Sequence, residues 1–125
     1  MSHFTAIKTQ IRDIPALRQA LAEMSLSLFA NTEARGFYQN TIHADYVIRL
    51  NGPQDIALNQ QPDGSFGLTS DLFAGHVEKE VGQNYSELLQ LYAVHKATRE
   101  ARKKGSSVVQ KNQVDGAIKL TVMGV

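Results

Sequence analysis

The segment ADYVIRLNGPQDIALNQQPDGSFGLTS, residues 44–70, contains the clearest strand pattern in the chain. Apolar residues recur in it at every second position, which is the period of a β-strand with one buried face. The residues that share a face in its three runs are Tyr46, Ile48 and Leu50, then Ile56 and Leu58, then Phe66 and Leu68. The turns between the runs are NGPQ (51–54) and QPDGS (61–65), which are rich in turn-forming residues. Three strands joined by short turns predict an antiparallel meander.

Upstream of the meander, the sequence predicts a strand and a helix. HFTAIKTQI (3–11) alternates and predicts a strand near the N-terminus. Asp13 is the expected N-cap of the helix, and Pro15 falls in its first turn, where a missing N–H costs little. Side chains three and four positions apart predict its buried stripe: Leu17, Ala20, Leu21 and Met24. We expect SLFANTEARG (27–36) to be an irregular connection, with strand periodicity returning from Gly36.

Downstream of the meander, residues 71–84 give mixed signals and predict a loop with some helix. A long helix follows, with Ser86 as its expected N-cap and Gly105 as its stop. Its first half is apolar nearly all round, which is typical of a buried helix. Two last strands are predicted at 107–113 and 117–122, with a turn near Asp115 and Gly116.

This series of elements predicts a single α+β domain over residues 1–125. We expect an antiparallel sheet of about six to seven strands with two helices packed on one face, in the order β-α-β-β-β-β-α-β-β. A chain of 125 residues is long enough to bury one core without covalent staples.

The composition narrows the function classes. The absence of cysteine excludes disulfides, thiolate nucleophiles and zinc sites built on sulfur. A net charge of +1 does not indicate a protein-wide field that attracts nucleic acid. There is no apolar run for a membrane span and no signal-peptide pattern, so we expect a cytoplasmic protein without a membrane contact.

One local charge feature stands out at the end of the long helix. The basic residues concentrated there are Lys96, Arg99, Arg102, Lys103 and Lys104. His95, Arg99 and Arg102 recur at i, i+4 and i+7, so they share one face. One interpretation is a solvated helix end whose cations complement the macrodipole, and the other is a surface for an anion or an acidic partner. Nucleic-acid binding is a lesser alternative, because only Tyr92 is a nearby aromatic residue and it is expected to be buried.

A second candidate site would combine His43, Asp45, Tyr92 and His95, provided that they converge in one pocket. No metal-ligand spacing, phosphate-binding glycine pattern or nucleophile elbow supports catalysis, so we predict no catalytic residue, metal or cofactor. Asp45 is also expected to form a cross-strand ion pair with Arg35 or Arg49.

Four stretches together resemble a known family. They are MSHFTAIKTQIRD (1–13), ARGFYQNTIHADYVI (34–48), YAVHKATREARKKG (92–105) and QVDGAIKLTV (113–122). In this order they resemble the hypothetical chloroplast open reading frame thirty-five family, a small cyanobacterial and plastid domain of unknown function. The tryptophan often found in the family between residues 72 and 84 is absent here.

The resemblance implies an accessory protein with no established catalytic residues. It suggests an ATPase of the AAA type as a partner, and the plastid stroma as the location if the chain is plastid-encoded. We therefore expect a non-enzymatic protein-interaction module that uses an exposed sheet face or the basic helix end. A small-molecule, anion-binding or catalytic site at His43, Asp45, Tyr92 and His95 is the alternative, and a homodimer is left open.

Overall fold

The computed structural model describes residues 3–105, 107–112 and 118–123, the last two ranges as backbone only. The strands are β1 (Phe4–Ile7), β2 (Ser27–Arg35), β3 (Thr41–Arg49), β4 (Ile56–Gln60), β5 (Phe66–Asp71), β6 (Ser107–Asn112) and β7 (Ile118–Met123). The helices are α1 (Ile14–Glu23), α2 (His76–Val81) and α3 (Ser86–Lys103), and short 3₁₀ turns at Phe73–Gly75 and Gln83–Tyr85 flank α2. The α+β class is confirmed.

The main sheet is open and antiparallel, with five strands in the spatial order β1-β5-β4-β3-β2. The strands β6 and β7 pair with each other in a separate two-stranded sheet that lies against α3. The expectation of six to seven strands in one sheet is therefore wrong, as is the element order, which lacked α2. A period of two predicts that a segment is a strand, but it does not say which strand is its neighbour.

One sheet face is covered by α1, α2 and α3. The main core contains Leu17 and Leu21 of α1, Val77 and Val81 of α2 and Leu88 of α3, none more than 1% exposed. Asp13 caps α1 as expected, since its side chain accepts a hydrogen bond from Ala16 N at 3.0 Å. Ser86 does not cap α3, because the cap position is Tyr85, which has a left-handed φ of 60° and makes no side-chain cap bond.

The segment expected to be irregular, residues 27–36, instead forms β2 and pairs with β3 along its length. The β2–β3 hairpin bends near its middle, at Asn31, which has a φ of 50°. Opposite Asn31, at Asp45, the backbone pairing of β3 with β4 also ends. Side chains replace it: Asp45 N donates to Asn59 Oδ1 at 3.1 Å, and the Asp45 carboxylate accepts from Gln60 N at 2.8 Å. Because the buried face changes at the bend, β2 has no single alternating pattern for sequence analysis to detect.

Beyond the bend, the outer half of the hairpin folds back over the other face of the sheet. Val47 and Ala57 lie on that face, yet both are fully buried, because Ala34 and Ala44 of the outer half pack on them in a second, smaller core. The hairpin tip reaches as far as β1, where a side chain at Gly36 would collide with the ring of Phe4.

A buried carboxylate anchors the folded-back hairpin. Asp55, at the start of β4, is 0% exposed. It accepts hydrogen bonds from Arg35 N at 2.9 Å, Nε at 2.9 Å and Nη2 at 2.7 Å, from Arg49 Nη1 at 3.0 Å and from Leu50 N at 3.2 Å. Asp55 N in turn donates to Arg35 O at 2.9 Å. The expected pairing of Asp45 with Arg35 or Arg49 is therefore wrong, because both arginines bind Asp55.

Burial alone would raise the pKa of Asp55, but the hydrogen bonds from Arg35 and Leu50 and the charge of Arg35 outweigh it. The pKa of Asp55 consequently lies below its ordinary value of 3.8. The carboxylate form stabilises the fold above that value, and this contribution is lost as the pH falls through the folded-state pKa.

We expect Asp55→Asn to lower the free energy of unfolding at pH 7 by about 2–3 kcal/mol, because two guanidinium groups lose their anionic acceptor. Urea unfolding of both proteins measures the difference. It should be constant above the ordinary pKa of 3.8 and shrink as the pH falls below it, since the wild-type carboxyl then becomes neutral.

The control for this prediction is Glu87→Gln, the same chemical change at an exposed position of α3, which should change stability by less than about 1 kcal/mol. Equal unfolding midpoints for wild type and Asp55→Asn would show that the buried carboxylate does not anchor the hairpin.

Candidate functional site

Tyr92 links α3 to the start of α1. Its ring is 5% exposed, and its hydroxyl oxygen accepts hydrogen bonds from Arg12 N at 2.9 Å and Asp13 N at 3.0 Å. The hydroxyl thus satisfies two backbone donors at the N-terminus of α1, where the helix itself offers no acceptor. Tyr92 is therefore buried, as expected, and holds two elements together.

His95 and Arg99 also contact α1 with their side chains. Arg99 Nε donates to the cap residue Asp13 at 3.1 Å from Oδ2, and His95 Nε2 lies 2.5 Å from Glu23 Oε2. Burial would raise the pKa of Asp13, but the bonds from Ala16 N and Arg99 outweigh it and hold that pKa below its ordinary value. His95 and Arg99, which were expected to be solvated or to bind a ligand, are thus part of the α1–α3 interface.

Arg102 differs from these two residues. It is exposed in the last turn of α3, together with Lys103 and Lys104. Their position fits both readings of the basic end, because cations there complement the helix dipole and also remain available to a partner.

A groove of about 500 Å³ runs along α3. One wall is the segment Thr9, Gln10 and Ile11 between β1 and α1. The other wall is a helical stripe in which residues recur at i, i+3, i+4, i+7, i+8 and i+11: Leu89, Tyr92, Ala93, Lys96, Ala97 and Glu100. We refer to this feature as the α3 groove. Its lining is mostly apolar, and Lys96 Nζ lies 3.7 Å from Glu100 Oε1 on its rim.

Sequence analysis did not predict the α3 groove, although the sequence shows the spacing of Leu89, Ala93 and Ala97. An apolar stripe at i, i+4 and i+8 is most often buried, and nothing in the sequence indicates that this stripe remains partly uncovered in the fold.

His43 and Asp45 lie on the other side of the sheet, in the folded-back hairpin. His43 is exposed and contacts Glu33 Oε1 at 3.3 Å and Asn31 Oδ1 at 2.8 Å. The six predicted binding residues therefore separate into two groups, because Tyr92, His95, Arg99 and Arg102 are on the helix side. Within the described residues, no three potential metal-binding side chains form a cluster.

An exposed apolar surface was also missed. Phe37 and Tyr38 at the hairpin tip are 37% and 82% exposed, and Leu72 and Phe73 after β5 are 38% and 45% exposed. The ring centroids of Phe37 and Phe73 are 4.1 Å apart and those of Phe37 and Tyr38 are 6.3 Å apart. Phe37 thus lies beside both other rings, and we call the three residues Phe37, Tyr38 and Phe73 the aromatic patch. Sequence analysis could not detect this patch, because the loops that form it, residues 36–40 and 72–75, are far apart in the chain.

The described helices include none that is both long enough and apolar enough to cross a bilayer. The fold and the two surfaces define a small α+β domain with one open five-stranded sheet, covered by helices on one side and by its own hairpin on the other.

Comparison with known proteins identifies the family. Residues 20–121 match the family described as "Protein of unknown function (DUF1257)", and the chain belongs to it. The chain is 31% identical over 124 residues to the "Uncharacterized protein ycf35" of Pyropia yezoensis, covering 98% of this chain and 96% of the relative. It is 27% identical to the protein of the same name from Guillardia theta, with the same coverage. No solved structure matches the chain. The resemblance seen in the sequence is confirmed.

We expect Tyr92→Phe to lower the free energy of unfolding by about 1–2 kcal/mol, because Arg12 N and Asp13 N lose their acceptor. The melting temperature measured by circular dichroism should fall accordingly. Tyr38→Phe removes the same hydroxyl at an 82% exposed position and should leave the melting temperature unchanged. An unchanged melting temperature for Tyr92→Phe would contradict the role given to its hydroxyl.

Proposed function

We propose that the chain is a non-enzymatic accessory module that binds a protein partner through the α3 groove and the adjoining basic end of the helix. The observation that carries this proposal is the position of an open, mostly apolar groove directly beside three exposed cations. Apolar grooves lined by a helix stripe are a recurrent way of binding an amphipathic helix.

The lining favours a helical partner of particular chemistry. Ala93 and Ala97 are small and lie one turn apart, so a second helix can approach α3 closely there. Leu89 and Ile11 supply apolar contact at the other end of the groove. We therefore propose a partner segment with one apolar face for the groove.

The charges favour acidic residues on that segment. Arg102, Lys103 and Lys104 are exposed beyond the last groove residue, and Lys96 is on the rim. Such a cluster accelerates association with an anionic surface and fixes the direction of binding. Arg102 is thus a contact residue, whereas Tyr92, His95 and Arg99 position α3 through their bonds to α1.

An AAA-type ATPase is the partner class suggested by the family resemblance, and the cytoplasm or plastid stroma is the proposed location. The groove volume of about 500 Å³ also falls in the range of small-molecule sites, so an apolar ligand is the second candidate.

The proposal can be tested by site-specific photo-crosslinking in cells of the source organism. A photoreactive amino acid at Ala93, which is exposed in the groove, should crosslink to one protein. The same amino acid at the exposed position Lys79 on α2 should not. Mass spectrometry of the crosslinked band identifies the partner and the segment that it contributes.

Charge reversal then tests the basic end with the purified partner. We expect Arg102→Glu/Lys103→Glu to weaken binding by about tenfold or more, and wild-type affinity to fall with rising salt concentration. Arg18→Glu/Lys79→Glu changes the net charge equally at exposed positions outside the groove and should bind like wild type. Failure of the Ala93 crosslink, or equal loss of affinity in both double variants, would contradict the proposal.

A further inference from the structure

The aromatic patch is separate from the α3 groove and shares no residue with it. Three of the five exposed large apolar side chains in the described part of the chain belong to it: Phe37, Tyr38 and Phe73. Contiguous exposed apolar surface of this kind marks interaction sites on folded proteins.

A buried carboxylate holds the two halves of the patch together. Asp71 is 1% exposed, and its Oδ2 accepts from Phe37 N at 3.0 Å while its Oδ1 accepts from Phe73 N at 3.0 Å. One side chain thereby fixes two loops that are far apart in sequence and holds their rings in contact. The aromatic patch is therefore formed before any partner arrives, which lowers the entropy cost of binding.

The area of the patch indicates a small partner surface. Aromatic side chains bury about 150–250 Å² each when fully covered, so three partly exposed residues offer roughly 300 Å². A stable protein–protein interface needs about 800 Å² from each partner. A second copy of the chain would therefore be held weakly by the patch alone, whereas a peptide segment a few residues long would cover it.

The absence of charged side chains from the two loops of the patch favours an uncharged ligand. The two loops that form it, residues 36–40 (GFYQN) and 72–75 (LFAG), contain no acidic or basic side chain. Their polar side chains are the Tyr38 hydroxyl and the amides of Gln39 and Asn40, all of which can donate hydrogen bonds to carbonyl groups.

The arrangement of the three rings favours a proline-containing ligand. The rings of Phe37 and Phe73 are in contact and tilted by 47°, and those of Phe37 and Tyr38 are tilted by 39°, so the three rings present faces and edges and not a flat stack. Proline-rich segments in the polyproline II conformation dock on exposed aromatic side chains of this kind, and they present free carbonyls at little entropy cost. We propose that the aromatic patch binds a short, uncharged, proline-containing segment of a partner protein in extended conformation.

A two-dimensional NMR titration of the ¹⁵N-labelled full chain tests this proposal. The probe is a decaproline peptide with blocked ends, and a blocked Gly-Ser decapeptide is the matched negative control. We expect decaproline to shift the amide signals of residues 36–40 and 72–75 in a saturable manner, and the Gly-Ser peptide to leave them unchanged. Phe73→Ala and Tyr38→Ala should each weaken decaproline binding by about tenfold.

The matched control variant is Phe29→Ala, which truncates an exposed large apolar residue outside the patch and should bind decaproline like wild type. Absence of shifts with millimolar decaproline, or equal shifts with the Gly-Ser peptide, would overturn the proposal. Patch signals that instead change with protein concentration alone would assign the surface to a second copy. Patch signals that broaden only with phosphatidylcholine vesicles would assign it to a membrane.

Discussion

The hydrogen bonds between Arg35 and the buried carboxylate of Asp55 hold the β2–β3 hairpin against the sheet. Arg35 is the last residue of β2, and its backbone and guanidinium both bind the buried carboxylate. This contact brings the far end of a long hairpin back to the beginning of β4. The sheet face opposite the helices is then covered by the chain itself, and the hairpin tip reaches the loop after β5. The second core depends on this attachment, and the aromatic patch depends on it together with the hydrogen bonds of Asp71 to Phe37 N and Phe73 N.

The two sides of the sheet are built in different ways. On the helix side, large aliphatic residues form the main core, and polar side chains of α3 fasten that helix to α1. On the hairpin side, alanine and valine fill a thin layer, and carboxylates at Asp55 and Asp71 organise the loops. In both cases most of the polar groups that look available in the sequence are engaged internally. Among the described residues, the surfaces that we propose for partners are the α3 groove with the exposed end of α3, and the aromatic patch.

The sequence predicted the parts of the fold that depend on local patterns. The meander, α1 with its Asp13 cap and the long helix α3 follow from periodicity and capping chemistry, which act over a few residues. The family resemblance was recognisable for a different reason, since it rests on four motifs in order. The predicted burial of Tyr92 was also correct, but its two backbone partners on α1 were not predictable because they lie some eighty positions away.

The sequence did not predict how segments that are distant in the chain pair and pack together. The alternation in β2 is interrupted at Asn31, so the strand was read as irregular, and β6 and β7 could not be excluded from the main sheet. His43 and His95 could not be assigned to opposite sides, because both lie in segments with apolar residues on more than one face. Whether Asp45 or Asp55 binds the arginines is decided by the fold-back, which has no local signal.

The position of β1 has a consequence for synthesis on the ribosome. β1 is translated before its sheet neighbour β5 and before Gly36, which contacts Phe4. β1 therefore has no strand to pair with until the meander has been synthesised. Closing such a long loop is slow and leaves a bare strand open to wrong pairings. Because of this order of translation, β1 is the last strand of the main sheet to pair with its neighbour.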